Sequence, residues 1–146
     1  MRIDQYIDNI NQRFKLGNAT EHTFRGDLQQ LLETLVPEIR ATNEPKRQSC
    51  GAPDYILTKG STAIPVGFIE AKDIGDKDLD GLKKTGNKEQ FDRYKASLNN
   101  LIFTDYLSFH LYIDGEFKTK ISIAEIQNGK IIRLTANFDI FTNLIK

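Results

Sequence analysis

The sequence predicts an α/β domain in which a central mixed β-sheet is flanked by α-helices. Three observations carry this expectation: apolar residues recur at helical spacing over the first 40 positions, short β-prone runs bounded by turn residues follow, and one more helical segment separates two groups of strands.

Ile3, Tyr6, Ile7, Ile10 and Phe14 place one apolar stripe on a helix over residues 2 to 15, which Gly17-Asn18 ends. A second helix is expected from about Thr23 to Arg40, burying Phe24, Leu28, Leu31, Leu32, Leu35 and Val36, before Asn43 to Pro45 break the chain. Tyr55-Ile56-Leu57 and Ile64-Pro65-Val66-Gly67-Phe68-Ile69, separated by Lys59-Gly60-Ser61-Thr62, read as a hairpin. Gly75, Gly81 and Gly86, set among many charges, mark a surface loop, and a third helix follows from about Lys88 to Leu98. Leu101 to Thr104, the alternating Leu107, Phe109, Leu111 and Ile113, and a run from Phe117 are the next strands, with a turn at Asp114-Gly115. Asn128-Gly129 is the strongest hairpin signal, joining Ile121 to Ile126 with Lys130 to Leu134, and Phe138 to Ile145 closes the chain as a helical or irregular segment.

With 146 residues, 39% of them hydrophobic, the chain can bury one core, so residues 1–146 are expected to form a single domain. Twenty Lys and Arg balance twenty Asp and Glu, so no global positive field draws in a polyanion and any such site must be local. A single cysteine, Cys50, excludes an internal disulfide and the cysteine-rich zinc patterns, and it is expected to pack in a strand. The polar N-terminus and the lack of an apolar run near ~20 residues point to a cytoplasmic protein with no membrane partner.

Chemistry enters in the strand before Lys72. By the period of two, Ile64, Val66 and Phe68 share a face, and Glu70 and Lys72 continue that row where core residues belong. Ala71 points the other way and is small enough for a ligand to approach its carbonyl. Charge at the end of a buried row needs a partner or a metal. Asp54 begins the partner strand. With the turn centred near Ser61, Thr58 faces Ile64 and Asp54 faces Phe68, which makes Glu70 a diagonal neighbour of Asp54, roughly 7 to 8 Å away at the backbone. A register shifted by one residue would send the two acids to opposite faces. Two converging carboxylates suit Mg²⁺, which takes about one or two and keeps waters that phosphate oxygens can replace.

Pro53-Asp54 followed by Glu70-Ala71-Lys72 on the next strand resembles the PD-(D/E)xK nucleases, and the resemblance covers about residues 21 to 105. It implies a restriction-endonuclease-like fold. Gln90 and Tyr94, one helical turn apart, are similar to the Q-x-x-x-Y signature of part of this superfamily. The resemblance also implies an acid from the helix preceding the hairpin. Of Glu21 and Glu33, Glu21 falls on the apolar stripe and is the candidate, with charge complementarity at the helix N-terminus as its structural role. On this reading Asp54, Glu70 and the carbonyl of Ala71 bind Mg²⁺, with Mn²⁺ able to substitute, and Lys72 orients and stabilises charge on the water or phosphate. Lys83, Lys84, Lys88, Arg93 and Lys95 are the local cations for DNA.

Glu21-His22-Thr23-Phe24-Arg25, Gly51-Ala52-Pro53-Asp54 and Gly67-Phe68-Ile69-Glu70-Ala71-Lys72 look similar to the N-terminal nuclease module of single-chain restriction-modification enzymes of the type IIG or type I-like kind. The implied function is Mg²⁺-dependent endonucleolytic cleavage of double-stranded DNA. Methyltransferase and target-recognition domains are then expected elsewhere in a longer chain, since no Gly-rich cofactor loop and no Asn-Pro-Pro-Tyr-like run occurs here. Transient dimerisation would serve double-strand cleavage. Two rival readings remain: an exonuclease-like repair or recombination nuclease, and an inactive nuclease-fold module for DNA binding or assembly.

Overall fold

The computed structural model describes residues 2–17, 24–43, 54–59, 65–72, 74 and 100–145. Helix α1 (Ile3–Lys15) buries Ile3, Tyr6, Ile7 and Ile10, the stripe that its spacing predicts. Gly17 ends it in the left-handed region at φ 75°, and the amides of Leu16 and Gly17 donate back to the carbonyls of Arg13 and Phe14.

The expected helix from Thr23 to Arg40 divides in two. Helix α2 spans Arg25–Leu35, and strand β1 occupies Ile39–Asn43. Pro37 is the cause: it offers no amide hydrogen and disfavours helical geometry in the residue before it, and Val36 has already left that geometry at φ −131° and ψ 86°. Glu33 then has a structural task, its Oε2 accepting the Ala41 amide at 2.9 Å and tying β1 to the helix.

Strands β2 (Tyr55–Lys59), β3 (Pro65–Ala71), β4 (Asn100–Thr104), β5 (Ser108–Ile113) and β6 (Glu116–Ser122) join β1 in one six-stranded sheet ordered β1 to β6. β3 and β4 pair in parallel and the other neighbours are antiparallel, so the sheet is mixed. A parallel pair needs a connection that crosses from one end of the sheet to the other, in contrast to the tight hairpin that joins β5 to β6. The helix expected near Lys88 to Leu98 lies outside the described residues, as does Cys50.

Two hairpins close as their turn residues require. Asp114 and Gly115 between β5 and β6 have φ of 50° and 85°, and Asn128 and Gly129 have 52° and 77°, the paired positive angles of a two-residue turn whose twist matches the strands. The second hairpin, β7 (Ala124–Gln127) with β8 (Lys130–Arg133), is a separate two-stranded sheet. The continuous strand expected over Ile121 to Ile126 is therefore broken at Ile123. Its amide donates to the Leu107 carbonyl and its carbonyl accepts the Leu134 amide, each at 2.9 Å, so it links the two sheets. A single 3₁₀ turn (Thr135–Asn137) leads into helix α3 (Phe138–Ile145).

The three α-helices among the described residues contribute to one core. Ile7 and Ile10 of α1, Leu28, Leu31 and Leu32 of α2 and Phe141 of α3 cluster with Tyr55, Leu57, Ile69, Ala71, Ile102 and Phe109 of the sheet. The large apolar side chains among them contribute about 1.5–3 kcal/mol each on burial, which fixes the helices against the sheet. No described helix is long and apolar enough to cross a membrane.

Candidate active site

Strand register decides whether Asp54 and Glu70 meet. Near the turn Thr58 pairs with Pro65, and that register, continued, would set Asp54 opposite Ile69 and on the face away from Glu70. A bulge intervenes. Leu57 pairs with Gly67, leaving Val66 as an extra, exposed residue, and from there Ile56 faces Phe68 and Tyr55 faces Ile69. Asp54, one residue before β2, thereby comes opposite Glu70 rather than diagonal to it, and its amide donates to Glu70 Oε1 at 3.2 Å. Of the expected row Ile64-Val66-Phe68, Ile64 lies outside the described residues and Val66, the extra residue of the bulge, is exposed; the residues of β3 that enter the main core are Ile69 and Ala71.

Glu70 and Lys72 do share a face. Lys72 Nζ lies 3.4 Å from Glu70 Oε2, and both residues are buried, at 7% and 4% exposure. The main chain beneath Lys72 is held by β4: its amide donates to the Thr104 carbonyl at 2.8 Å. Thr104 is fixed by the turn that follows. Its hydroxyl donates to the Ser108 carbonyl at 2.7 Å and accepts the Tyr106 amide at 2.9 Å, while Asp105 Oδ1 accepts the amides of Leu107 and Ser108. Tyr106 sits within that turn at φ 75°, an uncommon angle for a bulky residue, and its ring packs against Phe24 with centroids 5.2 Å apart.

Arg25 is the site residue to which sequence reasoning gave no role. Its Nη2 donates to Asp54 Oδ1 at 2.5 Å, and Asp54 Oδ2 accepts the Ala71 amide at 2.7 Å. A signal existed. Arg25 lies three and seven residues before Leu28 and Leu32, on the buried stripe of α2, where a cation requires a partner. Tyr55, wholly buried, donates its hydroxyl to the Arg25 carbonyl at 2.8 Å and so ties the first turn of α2 to β2. Burial foremost, with Tyr106 next to it, raises the Tyr55 phenol far above its ordinary range, so it acts as a fixed donor. Tyr55→Phe is expected to cost about 1 to 2 kcal/mol of folding stability, because the carbonyl loses its buried donor. Urea unfolding measures this, and a variant as stable as the parent would show that the hydroxyl adds nothing there.

The two carboxylates differ in setting. The Glu70 carboxyl is pushed up to about 8, first by burial and then by the neighbouring Asp54, with Lys72 pulling the other way. Every carboxylate oxygen of the pair accepts at least one hydrogen bond from the protein. An ionised carboxylate offers about four acceptor positions, more than these bonds occupy. Two carboxylates and a backbone carbonyl form an all-oxygen donor set, which fits a hard divalent ion that retains water. Among the described residues no group of three or more His, Cys, Asp or Glu is placed to hold a metal.

Glu21, Gln90 and Tyr94 lie outside the described residues, and so do Lys83, Lys84, Lys88, Arg93 and Lys95. The structure thus brings together Asp54, Glu70, Ala71 and Lys72, and adds Arg25.

Among solved structures, the fold is similar to a chain of the DrdV–DNA complex determined by cryo-electron microscopy, with a TM-score of 0.59 and 25% identity over 81% of this sequence. The chain spans 12% of the length of that relative. No family model and no curated protein matches the sequence.

Proposed function

We propose that this chain is a Mg²⁺-dependent endodeoxyribonuclease module that hydrolyses phosphodiester bonds of double-stranded DNA. The observation that carries the reading is the direct opposition of Asp54 and Glu70 on one sheet face, with Lys72 two residues beyond in contact with Glu70. The likeness to a chain solved in complex with DNA supports DNA as the substrate. The larger setting is proposed from the sequence resemblance alone: a module within a longer restriction-modification protein, alongside methyltransferase and target-recognition parts.

Asp54, Glu70 and the Ala71 carbonyl would hold the ion, whose chemistry is to lower the pKa of a bound water and to neutralise charge on the phosphate. The protein's own groups do the positioning. The Ala71 amide fixes the plane of the Asp54 carboxylate, and the Asp54 amide fixes Glu70. Lys72, anchored through Thr104, presents its ammonium beside Glu70 and stabilises negative charge as the phosphate gains it.

The test is cleavage of covalently closed plasmid by the purified chain with Mg²⁺ or Mn²⁺. Metal-dependent nicking or linearisation that EDTA stops, and that Asp54→Ala lacks, is the expected result. Equal cutting by Asp54→Ala would identify a contaminant. Action on linear but not closed circular DNA would replace the endonuclease with an end-dependent enzyme.

A further inference from the structure

Arg25 occupies a carboxylate that the proposed chemistry reserves for a metal. Its side chain and that of Asp54 are both largely buried, at 9% and 13% exposure, and the guanidinium lies directly on Oδ1. An ion entering between Asp54 and Glu70 therefore meets a positive charge on the Asp54 side. It meets a second on the Glu70 side, where Lys72 Nζ is 3.4 Å from Oε2. Among the described residues of the site, two cations face two carboxyl groups. In so buried a place little water screens the repulsion between these cations and an incoming one.

We infer that Arg25 is a charge gate on metal loading, which holds the acidic pair against a free divalent ion and yields when a DNA phosphate arrives. The phosphate brings the missing negative charge, and a guanidinium is suited to it, since its planar fork pairs with phosphate as well as with carboxylate. The base of the side chain is pinned at the start of α2 by the Tyr55 hydroxyl on the Arg25 carbonyl, so the head can exchange partners without moving the helix. Metal and DNA then load together, each tightening the other by the same factor. The gate rests on the nuclease reading and adds to it the order in which the site fills.

Calorimetric titration of Mn²⁺ into the full chain tests it, without DNA and with a phosphorothioate-substituted duplex that resists cleavage. The wild type is expected to bind Mn²⁺ weakly alone and much more tightly with the duplex. Arg25→Gln, which keeps a donor but loses the charge, should tighten DNA-free binding by about ten-fold or more, given the strength of a full charge at such a separation. Arg25→Lys keeps the charge and should remain close to the wild type. Thermal melts confirm that each variant folds.

Arg25→Gln binding Mn²⁺ no more tightly than the wild type, or more weakly, overturns the gate while leaving the nuclease standing. Should that variant fail to fold, the wild type alone decides: a duplex that leaves Mn²⁺ affinity unchanged also overturns it. If no Mn²⁺ binds even with duplex present, the nuclease reading falls, and the gate with it.

Discussion

Lys72→Met should lower the rate of DNA cleavage by about 10³-fold, the scale on which a single donor aimed at developing negative charge acts in a dry site. The choice of residue isolates the charge. Methionine reaches nearly as far along the same path, so the packing of a position only 7% exposed is kept while the ammonium is lost. The backbone of residue 72 keeps its bond to the Thr104 carbonyl, and Glu70 loses one cationic neighbour. Divalent-ion binding should survive or tighten, because removing a cation from beside the carboxylates favours another cation, and DNA affinity should change little. A single-turnover assay on a labelled duplex, run beside a Mn²⁺ titration, reads both quantities. Cleavage within a few-fold of wild type would remove Lys72 from the chemistry, and lost metal binding would mean that it had been holding Glu70 in place.

The parts of this arrangement that the sequence foretold are those fixed by local periodicity. Glu70 and Lys72 are two residues apart in one strand, and no tertiary event separates them. Asp54 depended on register, which the structure sets with an extra residue at Val66. Nothing in Pro65-Val66-Gly67 marks a bulge unambiguously. The even offset assumed from a turn at Ser61 therefore gave the correct face with a partner two residues away from the true one. Strand β1 was concealed because Arg40 and Ala41 continue a helix-compatible run after α2, although Pro37 supplied the local reason to stop it.

Arg25 escaped assignment for a different reason. Its partner is 29 positions away, and pairing across that separation arises only when α2 and β2 are packed side by side through Tyr55. Thr104 is of the same kind: its role comes from the parallel neighbour relation of β3 and β4, which the order of hydrophobic runs does not encode. The site is thus built in two layers. A short hairpin motif supplies the acids and the lysine, and long-range contacts from α2 and β4 orient them.

The metal-free protein should lose stability as pH rises from about 4.5 towards 8, and Glu70→Gln should abolish most of that loss. The sign follows from linkage. Glu70 has its carboxyl raised from 4.5 in the unfolded chain to about 8 when folded, so between those values the folded state binds the extra proton. Stability from this group is fully present below 4.5 and declines as pH rises, until the folded carboxyl also ionises near 8. At pH 7 the effect is on the order of 3 kcal/mol, roughly 6 to 12 °C in melting temperature for a domain of this size. Glu70→Gln keeps the shape and a hydrogen-bonding oxygen without the charge, and should melt above the wild type at pH 7 to 8 but alongside it near pH 4.5. Divalent ions favour the ionised carboxylate, so their stabilising effect on the wild type should grow over the same window and be largely lost in the glutamine variant. Melting curves from pH 4.5 to 8.5 in EDTA and in Mg²⁺ make the comparison. Parallel pH profiles for the two proteins in EDTA would show that Glu70 is not the group whose burial opposes folding, and would leave the acidic pair without its electrostatic reason to attract a metal.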